Sequence, residues 1–148
     1  MRVSRMEIDL DLALSMSAAA RESARSLGAL VSVAVVDAGG HLLAFVRMDG
    51  AEIAGPVLAR DKAYTAVAHR CATEELTQLV APGGDLAGMS SADGGRYIAF
   101  GGGIPLWSES RVVGGIGVSG GSAEQDVACA HAGLAVYSAA ETTAVPTP

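Results

Sequence analysis

The sequence predicts an α/β domain of the α+β kind, with helices covering a mainly antiparallel sheet in the order α-ββ-α-βββ-α. Three observations predict it. Two pairs of strand-like runs are each joined by a short turn. Three stretches carry helical spacing or helix-end signals. Half of the 148 residues are hydrophobic and only 18% are charged, so the chain can fill a core. A chain of this length makes one domain, here residues 1–148 with a core over about 9–138 and a flexible tail over 139–148.

The first helix spans about Asp9 to Leu27. Ala13, Met16, Ala20, Ala24 and Leu27 recur at three- and four-residue spacing, and Gly28 is a natural stop. LVSVAVVD (Leu30 to Asp37) and HLLAFVRM (His41 to Met48) flank an Ala-Gly-Gly turn and form a hairpin. The first of these strands is almost wholly apolar, as expected of a strand buried on both faces. Pro56 opens the second helix, whose small face is Ala59, Ala63 and Ala66, and the pattern extends toward EELTQL. Residues 81–95, rich in glycine and serine, form a long loop. RYIAF (Arg96 to Phe100) reads as a short strand, and a second hairpin turns about Glu109 and Ser110. The last helix starts at Ser122, with a Ser-x-x-Gln capping box to Gln125, and ends near Tyr137.

The formal charge of −6 excludes a general nucleic-acid binder, which needs a basic face, and disfavours an anionic membrane. No apolar run is long enough to span a bilayer, and acidic residues interrupt any signal-peptide core near the N-terminus, so the expected location is the cytoplasm. Three histidines and two cysteines lack a zinc-ligand spacing. GVSGG (Gly117 to Gly121) fits the letters of a nucleophile elbow but lacks its parallel-sheet context.

Three blocks carry a resemblance to a known family: VVDAGGHLLAFVRMDGA (Val35 to Ala51), ARDKAYTA (Ala59 to Ala66), and GGGIPL (Gly101 to Leu106) followed by VVGGIGVSGGSAEQD (Val112 to Asp126). Over residues 10–137 the chain resembles the GlcG/HbpS-like family, which includes the C-terminal domain of PduO-type proteins. That resemblance implies an α-β-α sandwich around a five-strand antiparallel sheet, homo-oligomers of two or more copies, and haem as the candidate cofactor.

The candidate site residues divide between two functions. For binding a small anionic ligand, haem or another, they are His41, Arg47, Asp49, Lys62, Gly102, Gly103, Gly120 and Gly121. His41 would be the metal ligand if haem is bound. Arg47 either pairs with Asp49 to lock a turn or holds a ligand carboxylate. The glycine segments can offer free amides, and Gly120–Gly121 feed a helix N-terminus. For the alternative, a cofactor-independent lyase or isomerase acting on a small carboxylate, the proton-moving candidates are His41, Lys62, Tyr64 and Asp126. A third reading is an accessory subunit of a metabolic complex.

Overall fold

The computed structural model describes residues 1–144. Helix α1 (Leu10–Leu27) is capped by Asp9, whose carboxylate accepts the Leu12 amide at 2.8 Å. It ends at Gly28 with φ 68°, where the Ala29 amide returns to the Ala24 carbonyl. Ala13, Met16, Ala20 and Ala24 are completely buried, whereas Leu27 is exposed. Strands β1 (Ser32–Asp37) and β2 (Leu42–Arg47) form the first hairpin; β3 (Gly103–Ser108) and β4 (Arg111–Ser119) form the second, turning at Glu109 with φ 54°. Helix α2 (Gly55–His69) lies between the hairpins, α3 (Thr77–Val80) is a single turn, and α4 (Ala123–Ala144) closes the chain.

All pairings are antiparallel and the strand order is β2-β1-β4-β3. Helices α1 and α4 pack on one face, where Val33, Val35, Ile116 and Val118 meet Met16, Cys129 and Tyr137. On the other face α2 lays Ala59 and Ala63 against Ala34 and Val36. β1 is thus buried on both faces, as its composition requires. Glycine sets the helix–sheet distance on the α2 side: a Cβ at Gly117 would collide with the Ala59 carbonyl.

The sheet has four strands, not five. RYIAF is not a strand, because its backbone is bonded by threonine side chains instead of a neighbouring strand. The Ile98 amide donates to Thr65 Oγ1 at 3.0 Å. Thr77 donates to the Ala99 carbonyl and Thr73 to the Phe100 carbonyl, each at 2.7 Å. Two helix limits also differ from expectation. α2 stops at His69, since Arg70 turns left-handed with φ 56°, and EELTQL forms a 3-10 turn running into α3. α4 continues to Ala144, so residues 139–144 are helical where a tail was expected; residues 145–148 lie outside the described residues.

Candidate functional site

The predicted site residues separate to the two ends of the sheet. At the end where β1 and β4 pair through Ser32 and Ser119 stand Lys62, Asp126 and the glycine turns. Lys62 is 0% exposed and donates to Asp126 Oδ2 at 3.0 Å and to the Val118 carbonyl at 2.9 Å. The Phe100 ring lies 4.9 Å from its ammonium. Burial pushes the Lys62 amine below its ordinary value, against the pull of Asp126 and Glu52. Burial likewise pushes the Asp126 carboxyl up, opposed by Lys62 and by the amides of Gly121 and Gly120.

The glycine amides expected to be free are largely taken. Gly103 donates to Thr73 Oγ1 at 2.9 Å and Gly121 to Asp126 Oδ1 at 2.8 Å. Asp126 therefore occupies, from within the chain, the place an anionic ligand would take at the start of α4. Gly102 and Gly120 also serve conformation, with φ of 128° and 138°. At Gly102 a side chain would also press on the Lys62 ammonium. The capping box is present: Gln125 N bonds Ser122 Oγ, and Ser122 N bonds Gln125 Oε1.

Arg47 and Asp49 are exposed, and the expected turn-locking pair between them is absent among the described ion pairs. Arg47 pairs with Ser32 in the sheet, and so sits at the opposite end of β2 from His41, roughly 20 Å away at ~3.3 Å per residue. The structure therefore sets Arg47 and His41 at opposite ends of one strand and not side by side at one turn.

His41 and Tyr64 belong to the other end. There Asp37 Oδ1 accepts the amides of Gly39 at 2.8 Å and His41 at 2.9 Å, and lies 3.3 Å from His41 Nδ1. Burial raises the Asp37 carboxyl, but these amides and the imidazole outweigh it and hold the group below its ordinary value. The His41 side chain is 79% exposed. Tyr64 packs its ring beneath Gly40, donates to Asp93 Oδ2 at 2.6 Å, and carries the Arg96 guanidinium 3.6 Å above its ring. The proton-moving set His41, Lys62, Tyr64 and Asp126 is therefore not assembled in one cleft.

Both hairpin turns line a cleft of about 740 Å³ at this end, with Tyr64, Val67 and Val112 in its wall. Arg2, Arg5, Arg70 and Arg111 also line it. None of these arginines was singled out in the sequence, where they are scattered from position 2 to position 111. Asp37 did leave a signal: it stands four residues before His41 across Gly-Gly, the spacing of a carboxylate that folds back on its own turn.

The family model for "Haem degrading protein HbpS-like" matches residues 8–135. The chain belongs to the HbpS-like family. Among its relatives is the corrinoid adenosyltransferase PduO of Salmonella typhimurium, 42% identical over 120 residues; the match covers 81% of this chain and 36% of PduO. The chain thus spans about a third of that relative. Klebsiella pneumoniae ORFY superposes with a TM-score of 0.90 at 36% identity, over 94% of this chain and 97% of ORFY. PduOC, solved as a complex with haem, superposes at 0.85 with 39% identity, over 88% of this chain and 95% of PduOC. No helix of this HbpS-like chain, among the described residues, is long and apolar enough to cross a membrane.

Proposed function

We propose that this HbpS-like chain is a cytoplasmic, self-associating protein that binds haem, or a similar anionic small molecule, at the end of the sheet where the two hairpin turns meet. The observation that carries the reading is His41. Its exposed imidazole has Nδ1 3.3 Å from Asp37 Oδ1, and the tautomer that donates to Asp37 leaves the Nε2 lone pair free for a metal. A carboxylate behind a ligating histidine fixes the ring and raises its basicity.

The adjoining cleft, which Gly39 and Gly40 line, fits a haem. The volume is in the range of small-molecule sites, Tyr64, Val67 and Val112 supply apolar wall, and guanidinium groups suit carboxylates. Bound haem would supply the redox chemistry of its iron, while the chain binds and orients it. The 39% identity to PduOC, solved with haem, supports the same reading. Exposed Leu10, Leu14, Phe45, Ile53 and Val57 support self-association, and light scattering should return a mass above the 14.8 kDa monomer. The test of ligand identity is the absorbance of protein purified from haem-replete cells. A Soret band that co-elutes with the protein is expected; colourless protein that also fails to take up added hemin overturns the reading.

A further inference from the structure

Four of the ten basic residues of this acidic chain line the one cleft beside His41, and no carboxylate residue lines it with them. Three separate local structures bring them there. Arg70 is the left-handed residue that ends α2. Arg111 opens β4 directly after the Glu109–Ser110 turn. Arg5 rides on the N-terminal segment, which is fastened where the Ile8 amide meets the Val113 carbonyl at 3.1 Å. Among the described residues, Arg2, Arg70 and Arg111 have no carboxylate within 4 Å, and Arg5 has only Glu7 at 3.9 Å, both of these side chains being open to solvent. Guanidinium groups that line one cleft with few carboxylates between them repel one another, and a ligand anion relieves that repulsion. The Arg5 guanidinium and the His41 ring both border Gly39, so the cationic wall and the imidazole adjoin across one residue.

We infer that this cleft reads the carboxylate edge of a tetrapyrrole independently of the metal, so that the chain takes carboxylated porphyrins with or without iron. The inference rests on the haem reading above and adds a second recognition point to it: His41 reads iron, and the arginines read the acid groups. Two planar forks such as Arg5 and Arg111 match carboxylates bidentately, which a diffuse positive surface would not. Arg47, at the far end of β2, has no part in it.

The experiment compares hemin, metal-free protoporphyrin IX and the dimethyl ester of each, titrated into the full chain, into Arg5→Gln/Arg111→Gln and into His41→Ala. Protoporphyrin IX should bind the full chain and His41→Ala alike. Esterification should weaken binding to the full chain at least about tenfold, the effect of losing charge-assisted contacts. The double variant should lose a similar factor for the acids and become indifferent to esterification. Both side chains are at the surface, so its melting temperature should match the parent. Equal affinity of acid and ester for the full chain overturns the inference, whatever the variants do. So does an unchanged affinity of the double variant for the acids. If hemin binds while ester and acid are equal, only the arginine cleft is wrong. If hemin does not bind at all, the haem reading falls together with it.

Discussion

Lys62 and Asp126 form an ion pair at 3.0 Å from which water is excluded on both sides, Lys62 being 0% and Asp126 3% exposed. Through Val118 and Gly121 the pair joins α2, the end of β4 and the turn into α4. Removing one partner leaves the other charge buried alone, which costs about 3–5 kcal/mol. Lys62→Met should therefore lose that much in denaturant unfolding. Lys62→Met/Asp126→Asn should be more stable than Lys62→Met, because the stranded carboxylate is gone. Additive losses would contradict the pairing.

Thr73 is fully buried, and its hydroxyl accepts from Gly103 N at 2.9 Å while donating to the Phe100 carbonyl. Thr73→Val keeps the shape and strands two backbone groups. It should cost about 1–3 kcal/mol in the same assay. A neutral Thr73→Val would mean that the Phe100–Gly103 segment finds its bonds elsewhere.

Asp37 gives a pH dependence with a definite sign. Its carboxyl is held below the ordinary value of 3.8, so its contribution to stability is present above that value and is lost as pH falls through the native value. The stability difference between the parent and Asp37→Asn should be open near pH 5 and close in stronger acid. A difference that widens on acidification would show that the His41 and Gly39 amides do not hold the carboxylate.

Arg47→Ala separates the two ends of the sheet. The side chain is exposed and has no ion-pair partner among the described residues, so stability should change by less than about 0.5 kcal/mol. Hemin affinity should also be unchanged, because the cleft is at the other end of β2. A tenfold loss would return Arg47 to the ligand.

Local signals made most of this fold legible. Asp9 and Gly28 mark both ends of α1, the Ser122–Gln125 box starts α4, and each hairpin declares itself by its turn. RYIAF misleads because Tyr97, Ile98 and Phe100 favour a strand, and nothing in the segment signals the threonines that bond its backbone from 22 to 33 positions away. The burial of Lys62 was not legible for the same reason, since its partner lies 64 residues on. His41 was readable as a candidate from its place after the turn. The arginine cleft was not, since only the folded chain brings positions 5, 70 and 111 together.

Hemin titration of His41→Ala beside the parent tests the central claim most directly. The parent should give a saturable Soret shift, and the variant, with iron deprived of its imidazole, a displaced or weaker one while its melting temperature holds. An identical Soret spectrum and affinity in His41→Ala would contradict the account.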